Sequence, residues 1–252
     1  MTFYPLYQEF AHLWPMLAPL ESYEEEMVEW TALIEEHFSG HDSLKVLDLG
    51  TGGGHHLYHL FHQNERLQRG LAVDLSKAML ERVQGLIPQV ETRACDMTTL
   101  ECDETFPLVC VHDSFCYLQS VDQVASLFAT IKRHLKPGGL ALVKVDAVKD
   151  SFSGPYRYLT NFEEDDFDLT LTHYEWDPDP EDSVLEVIYL FLEQRAGEVT
   201  TREERHHLGL FSQAELLTLA EGAELMARFH SLEPWDEERD NLLLILLHRE
   251  VL

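Results

Sequence analysis

Several glycines and acidic residues lie at spacings that suit the binding of a nucleotide-like ligand. In the segment KVLDLGTGGGHHLYHL, residues 45–60, Gly50, Gly52 and Gly54 follow an apolar run and precede a helix-like pattern. A turn made of glycines lets a ligand approach the main chain closely and places the N–H groups of a helix N-terminus beneath it. The segment therefore predicts a strand, a ligand-binding turn and a helix.

The glycine spacing helps to separate two classes of nucleotide-binding protein. A dinucleotide site uses G-x-G-x-x-G/A, in which the third small residue lets the helix and the strand come close. Here that third position holds His55, and the spacing is G-x-G-x-G with Asp48 two residues before the first glycine. His55 therefore argues against a nicotinamide-dependent oxidoreductase, which stays open as an alternative.

A second acidic residue, Asp74, ends the apolar run in LAVDLSKAML. It lies about twenty residues beyond the glycines, where a carboxylate can accept hydrogen bonds from both hydroxyls of a ribose. Because NAD enzymes share this arrangement, Asp74 predicts a ribose site and does not by itself choose between cofactors.

The elements that would position these residues form a repeated pattern of strands and helices. Four apolar runs, KVLDL, LAVD, LVCVHD and LALVKV, alternate with segments of helical spacing, which is typical of a parallel sheet with crossover helices. In the clearest helix, apolar residues recur at three- and four-residue intervals from Val121 to Leu135, and KPGG at 136–139 is expected to stop it. The segment SYEEEMVEWTALIEEHF predicts another helix near the N-terminus.

We expect four parts along the chain. Residues 1–40 form a helical cap, 41–148 a cofactor-binding core, 149–208 an antiparallel β insertion of roughly three strands, and 209–252 the completion of the core. Ser212 and Glu215 have the spacing of a capping box for a last helix that ends near Gly222. The runs ELMARFH and NLLLILLHRE then predict an antiparallel pair of strands.

Composition excludes several classes of partner. The 252 residues include 46 acidic and 18 basic ones, giving a formal net charge of -28, so we expect neither nucleic acid nor anionic membrane, since both are bound by cations. No apolar run approaches the roughly 18 residues of a membrane span. The first ten residues lack the features of a signal peptide, and we therefore expect a cytoplasmic protein.

Three histidines raise the question of a metal site. His55, His59 and His62 recur at i, i+4 and i+7 on the first predicted crossover helix. A ligating set normally adds a carboxylate or a cysteine in range, with a supporting second layer of hydrogen bonds. The sequence shows neither, so no metal is expected.

Five motifs in register resemble those of the class I S-adenosylmethionine-dependent methyltransferases. They are LDLGTGGG, LAVDLSKAML, RACDM, FPLVCVHDSFCYL and LKPGGLALV. The resemblance implies an α/β, Rossmann-like class I methyltransferase fold with a mostly parallel seven-stranded sheet, helices on both faces, and an antiparallel β insertion after the fifth strand. It also implies S-adenosyl-L-methionine as the cofactor.

The same resemblance implies which residues contact the cofactor. Asp74 would take the ribose hydroxyls, and Asp96 with Met97 would lie in the loop beside adenine. Asp48 or Asp113 would bring a carboxylate near the cationic sulfonium, although Asp48 could instead cap amides of the glycine loop. Tyr7 belongs to an N-terminal segment that often folds over the cofactor in this family. The predicted cofactor contacts are Tyr7, Asp48, Gly50, Gly52, Gly54, Asp74, Leu75, Met79, Asp96, Met97 and Asp113.

The segment TREERHHLGLFSQAELL resembles small-molecule N-methyltransferases, particularly sugar N,N-dimethyltransferases, in which an antiparallel layer covers the acceptor site. The resemblance implies transfer to an amine nitrogen of a small-molecule acceptor, by a monomer or a homodimer. One residue departs from the pattern: Tyr117 stands where those enzymes have a histidine. O-methylation of a small hydroxylated metabolite, or a module that binds the cofactor without catalysis, stays open.

Candidates for catalysis follow from what an amine acceptor requires. Direct displacement needs alignment and the exclusion of water rather than a nucleophile, but an amine must also lose a proton, which a carboxylate or a histidine can take. Strand alternation puts Glu204 and His206 on one face, which either points into the site or forms a solvated edge. We predict Glu204, His206 and Tyr117 as catalytic, with Tyr174 and Trp176 as further residues that could line an acceptor pocket.

Overall fold

The computed structural model describes residues 4–8, 10–40, 42–164, 167–233 and 240–248. Short 3₁₀ turns at Pro5–Tyr7, Ala11–Leu13 and Leu20–Tyr23 flank a four-residue helix in the N-terminal segment. The helices are α1 (Trp14–Leu17), α2 (Glu24–His37), α3 (His55–Gln63), α4 (Lys77–Leu86), α5 (Val121–His134) and α6 (Gln213–Gly222). None of the helices in this described part of the chain is long and apolar enough to cross a membrane.

Eleven strands complete the described elements. They are β1 (Leu44–Leu49), β2 (Leu67–Asp74), β3 (Val90–Ala94), β4 (Phe106–Val111), β5 (Leu135–Val145), β6 (Tyr156–Glu164), β7 (Phe167–Trp176), β8 (Val184–Arg195), β9 (Glu198–Gly209), β10 (Leu225–Ser231) and β11 (Leu242–His248).

The central sheet has seven strands in the order β10-β11-β5-β4-β1-β2-β3. Strands β1 to β5 pair in parallel, while β11 is antiparallel to both β5 and β10. One apolar core packs α5 and α6 on one face of this sheet, and a second core packs α2, α3 and α4 on the other. The predicted fold class is therefore confirmed, and the topology switches between β1 and β4, where open sheets bind ligands at their carboxyl ends.

A separate antiparallel sheet contains β6, β7, β8 and β9 in that order. The sequence predicted roughly three strands here and missed β6. This strand lies at the edge of the sheet; among its described side chains only the first, Tyr156, is buried, while Leu159 is 65% exposed. An edge strand with so little burial has a weak apolar alternation, which explains why the pattern was not visible.

Three local features of the structure compare with the predictions as follows. Helix α5 ends at His134, but KPGG is not a simple stop between elements, because it forms the first part of β5 with Gly138 at φ +75°. The capping box of Ser212 and Glu215 is present at the start of α6, as predicted. The predicted strand NLLLILLHRE corresponds to β11, and its last two residues lie outside the described residues, as do 234–239 before it.

Candidate active site

A cavity of about 460 Å³ lies at the carboxyl ends of the central strands. It is lined by the glycine loop after β1, by the ends of β2 and β4, and by the N-terminal segment. Most predicted site residues line it: Tyr7, Gly50, Gly52, Gly54, Asp74, Leu75, Met79, Met97, Asp113 and Tyr117.

The glycine loop has the backbone that the sequence predicted. Gly50, Gly52 and Gly54 have φ of +74°, +54° and +79°, a region that residues with a side chain rarely adopt. A Cβ at Gly54 would lie 2.9 Å from the Val83 side chain, so packing against α4 also requires this glycine. A Cβ at Gly52 would meet no atom within 4 Å. Since Gly52 lines the cavity, its bare backbone leaves room for a ligand.

Asp74 forms the second wall at the end of β2. Its Oδ2 accepts a hydrogen bond from Gly52 N at 2.8 Å, and its Oδ1 accepts one from Ser76 N at 2.7 Å. Burial raises the pKa of Asp74, although these N–H groups act in the opposite direction. A backbone hydrogen bond from Leu75 also acts on this carboxylate, whose remaining acceptor capacity is available to a hydroxyl of a ligand. Ser76 also caps α4 through Met79 N and donates to the carbonyl of Tyr7, which ties the N-terminal segment to this wall.

Asp96 does not line the cavity, in contrast to the prediction. Its Oδ1 accepts hydrogen bonds from the backbone N–H and the hydroxyl of Thr98, at 2.8 and 2.7 Å. The two neighbours of Asp96, Cys95 and Met97, do line the cavity. In this structure Asp96 shapes the turn that presents Met97 rather than facing the cavity itself.

Asp48 also lies behind the cavity wall. Its side chain is fully buried and does not line the cavity, and its Oδ2 is 2.9 Å from His56 Nε2. This partner differs from both predicted roles, which were a contact with the sulfonium and a cap on loop amides. The structure therefore places Asp48 as the buried partner of a histidine on α3.

Four charged side chains form a closed ring beside the cavity, which we call the ion ring. Glu26 on α2 lies 2.7 Å from His112 Nε2 through Oε1 and 2.8 Å from Lys144 Nζ through Oε2. Asp113 lies 3.1 Å from His112 Nδ1 and 3.2 Å from the same Lys144 Nζ. Positive and negative groups therefore alternate around the ring.

The protonation of the ion ring follows from its geometry. A neutral His112 that donates from Nε2 to Glu26 would turn the lone pair of Nδ1 towards the carboxylate of Asp113, so the charged imidazolium is favoured. Burial lowers the pKa of His112, but Asp113 and Glu26 raise it to about 9. Burial raises the pKa of Glu26, but His112 and Lys144 lower it to about 2. The same two cations hold the pKa of Asp113 well below its usual range, against the effect of burial.

A hydrogen-bond chain runs from the opposite wall into the protein. The hydroxyls of Tyr7 and Tyr117 lie 2.6 Å apart, and the Tyr117 hydroxyl lies 3.1 Å from His206 Nδ1. His206 Nε2 lies 3.4 Å from Glu204 Oε2, which also accepts from Leu6 N at 3.2 Å. Burial raises the pKa of both tyrosines well above the usual value, so both stay neutral.

The structure shows that strand β9 turns Glu204 and His206 inward. Both side chains are buried, whereas Glu203, Arg205 and His207 on the other face are exposed. The alternative of a solvated edge is therefore wrong for this face. Neither residue lines the cavity itself, because Tyr117 stands between His206 and the cavity.

The charged groups of the cavity lining lie on one side, and the other side is neutral. Among the described residues that line it, none is a lysine or an arginine; Asp74 and Asp113 are carboxylates, and His112 is a cationic member of the ion ring. Tyr4, Tyr7 and Tyr117 form the neutral side, and Tyr4 stacks on His206 with ring centroids 3.8 Å apart. Such a lining suits cationic groups and offers little to an anionic acceptor.

Tyr174 and Trp176 do not belong to this cavity. They line a second cavity of about 450 Å³ between the end of β7 and the segment at 149–155. The two cavities share no lining residue among those described. The prediction that these aromatic residues line the acceptor pocket is therefore not supported by their position.

Three histidines of α3, His55, His59 and His62, contact backbone carbonyls. His55 Nδ1 lies 2.9 Å from the carbonyl of Ala18, and His59 Nε2 lies 2.8 Å from that of Leu20. His62 Nδ1 lies 2.8 Å from the carbonyl of Tyr58 in its own helix. His55 and His59 thus hold the N-terminal segment against α3. Within the described ranges, no group of three or more potential metal ligands occurs.

Sequence reasoning missed the ion ring. Glu26, His112 and Lys144 were not predicted as site residues. One signal was available, because Lys144 interrupts the apolar run LALVKV of a strand expected to be buried, and a buried lysine requires a carboxylate partner. The sequence offers 46 acidic residues, and nothing in it identifies Glu26 among them.

Residues 46–139 match a family described as a methyltransferase domain. The cypemycin N-terminal methyltransferase of Streptomyces sp. is 31% identical over 197 residues, which cover 76% of this chain and 74% of the relative. The dTDP-4-amino-2,3,4,6-tetradeoxy-D-glucose N,N-dimethyltransferase of Saccharopolyspora spinosa is 26% identical over 112 residues, 44% of each chain. The fold matches that of CalS10, an amino pentose methyltransferase from Micromonospora echinaspora solved with S-adenosylmethionine, with a TM-score of 0.79, 20% identity and 98% of each chain covered.

Proposed function

Because the chain belongs to the S-adenosylmethionine-dependent methyltransferases, we propose that it methylates an amine nitrogen of a small-molecule acceptor by direct displacement. Membership of this family identifies the cofactor as S-adenosyl-L-methionine, and the identity of the acceptor is what we propose. The relatives named above act at an N-terminus or on amino sugars, and both descriptions indicate amines. The buried hydrogen-bond chain from Tyr7 to Glu204 carries the proposal, since an amine must give up a proton and this chain offers a route for it.

The residues of the cavity fit the cofactor. The bare backbone at Gly52 and the free lone pairs of Asp74 suit a ribose, and Leu75, Cys95 and Met97 provide an apolar wall for adenine. Asp113 would face the ammonium group at the methionine end. When bound, S-adenosyl-L-methionine supplies a methyl group made electrophilic by its sulfonium.

The chain's own residues first exclude water from the reaction. The 3₁₀ turn Pro5–Tyr7 is hydrogen-bonded on two sides. The Tyr7 carbonyl accepts from the hydroxyl of Ser76, just after β2, and Leu6 N donates to the carboxylate of Glu204 on β9. The aromatic side chains of Tyr4, Tyr7 and Tyr117 then form a neutral wall beside the acceptor. A neutral wall leaves the nitrogen lone pair free to attack, because it offers no charged group to compete for it.

The direction of the hydrogen bonds sets the direction of proton transfer. If Glu204 accepts from His206 Nε2–H, then Nδ1 carries the lone pair and Tyr117 donates to it. Tyr7 then donates to the oxygen of Tyr117, which leaves a lone pair of Tyr7 to accept from the amine. Each hydroxyl passes on its own proton as it receives another, so neither tyrosine has to ionise. His206 ends as an imidazolium beside the carboxylate of Glu204.

The first experiment compares amine and hydroxyl acceptors of the same skeleton. The protein is incubated with S-adenosyl-L-methionine carrying a ¹³C methyl group and with pairs that include a short peptide α-amine, an amino sugar and their hydroxyl analogues. We expect ¹³C on nitrogen, located by NMR and product mass. Methyl found only on oxygen contradicts the proposal, as does a cofactor-binding protein that releases no S-adenosylhomocysteine with any acceptor.

A matched pair of variants tests the route. Glu204→Gln removes the carboxylate behind His206, whereas Glu203→Gln changes an exposed residue of the same strand that faces the other way. We expect Glu204→Gln to lower kcat with little change in the Kd of S-adenosylhomocysteine, and Glu203→Gln to behave as the wild type. Equal kcat values for both variants would contradict the proposed route.

We also propose that the protein works in the cytoplasm, as a monomer or homodimer, without nucleic acid. The net charge of -28 supports the last point, because phosphate is bound by cations.

A further inference from the structure

The ion ring joins the N-terminal cap to the cofactor cavity. Of its four members, His112 and Asp113 line the cavity, while Glu26 and Lys144 lie behind them. Glu26 comes from the cap helix α2 and Lys144 from the core strand β5. None of the chemistry described above uses Glu26, although its side chain is only 18% exposed and contacts both cations.

We propose that Glu26 is a positioning residue for the cofactor: by binding both His112 and Lys144, it keeps Asp113 fixed and ionised where the ammonium group of the methionine end would lie. The inference rests on the proposed contact between Asp113 and that end of the cofactor. It does not depend on which acceptor is methylated.

The two oxygens of Asp113 show how the positioning works. Oδ2 lies 3.1 Å from His112 Nδ1, and Oδ1 lies 3.2 Å from Lys144 Nζ. Ion-pair contacts at both oxygens restrict the rotation of this carboxylate, which lines the cavity. The two cations in turn stay in place because Glu26 holds them from the opposite side, at 2.7 and 2.8 Å.

Removal of Glu26 would release both cations at once. His112 would keep a single carboxylate partner, in a position where burial favours its neutral form. Lys144 would keep Asp113 and the more distant Asp146 at 4.0 Å. The charged and titratable groups that face His112 from the elements around it are Glu26, Asp113, Lys144, Tyr23 and His56, whose ring stacks on His112 at 4.6 Å.

The test measures binding of S-adenosylhomocysteine by calorimetry, without acceptor, between pH 6 and 8. This ligand keeps the amino group of the methionine end. We expect Glu26→Gln to raise its Kd roughly 10- to 100-fold, as for the loss of a charged hydrogen bond. The Kd of the variant should also become dependent on pH, because His112 then titrates between pH 6 and 8. In the wild type His112 stays protonated over most of this range, so the Kd should depend little on its protonation.

Matched variants separate positioning from general damage to the cap. Glu25→Gln neutralises the exposed neighbour on the same helix and should bind as the wild type. Glu26→Asp keeps the charge on a shorter side chain and should recover part of the affinity. A folded Glu26→Gln protein with wild-type Kd at every pH, or an equal loss in Glu25→Gln, would overturn the proposal.

A measurement on the wild type covers the case in which Glu26→Gln fails to fold. Nitrogen chemical shifts of ¹⁵N-labelled histidine report whether an imidazole carries one proton or two. We expect two for His112 at pH 7, and a neutral His112 at this pH would refute the ion ring. Because neither measurement includes an acceptor, their failure would leave the proposal of amine methylation standing.

Discussion

Replacement of Tyr117 by phenylalanine removes the middle hydroxyl of the proton route and little else. That hydroxyl lies 2.6 Å from the Tyr7 hydroxyl and 3.1 Å from His206 Nδ1, so the substitution breaks both contacts while the ring stays in the wall. His206 is fully buried, and its Nδ1 loses the hydroxyl that it contacts. The route from the cavity to His206 is therefore interrupted at one atom.

The expected magnitudes differ for stability and for rate. A buried acceptor left without a partner costs about 1–3 kcal/mol of folding free energy. General-base assistance is typically worth about 10²- to 10⁴-fold in rate, or roughly 3–5 kcal/mol of activation free energy. We therefore expect a folded Tyr117→Phe protein whose kcat falls by at least about 100-fold. The Kd for S-adenosylhomocysteine should change much less, since Tyr117 is placed on the acceptor side.

The assay compares two acceptor amines, one protonated at neutral pH and one of low pKa that is already neutral. Because the neutral amine can attack before it loses a proton, Tyr117→Phe should slow its methylation less. Raising the pH should also restore part of the rate with the protonated amine. Tyr58→Phe on α3, which removes a hydroxyl elsewhere, serves as the control. A kcat of Tyr117→Phe within about threefold of the wild type, for both amines, would refute the proton route.

Three further predictions concern the cofactor and the ion ring. Asp74→Ala should weaken binding of S-adenosylhomocysteine by roughly 1.5–3 kcal/mol, and unchanged affinity in calorimetry would mean that the ribose lies elsewhere. Gly52→Val should abolish binding in a protein that still folds, because φ is +54° and the new side chain would enter the cavity; normal binding would contradict the glycine-loop argument. The pKa of His112 is about 9 in the folded protein against an ordinary value of 6.5, so protonation of His112 stabilises the fold. This stabilisation is complete below pH 6.5 and is lost as the pH rises to 9. The free energy of unfolding should therefore fall by up to roughly 3 kcal/mol over this range. In His112→Asn this slope, measured by denaturant titration, should disappear.

The part of the cavity formed by the glycine loop and the end of β2 could be predicted from local sequence. The glycine loop, its positive φ angles and the carboxylate at the end of β2 all lie within one strand–turn–helix–strand unit, so spacing along the chain translates directly into spacing in space. The same holds for β9, where alternation alone predicted that Glu204 and His206 share a face. Asp48 and Asp96 do not line the cavity in this structure, and local sequence carried no signal of the partners that they contact instead, His56 and Thr98.

The ion ring could not be found in this way, because its members come from α2, from the end of β4 and from β5. Glu26 and Lys144 are separated by 118 residues along the chain, and only the folded protein brings them into contact, at 2.8 Å. Burying two cations requires two carboxylates, one from the core and one from the cap, since a buried charge without its partner is strongly destabilising. Helix α2 therefore contributes charge as well as packing: without Glu26, the core would hold two cations against Asp113 and the more distant Asp146.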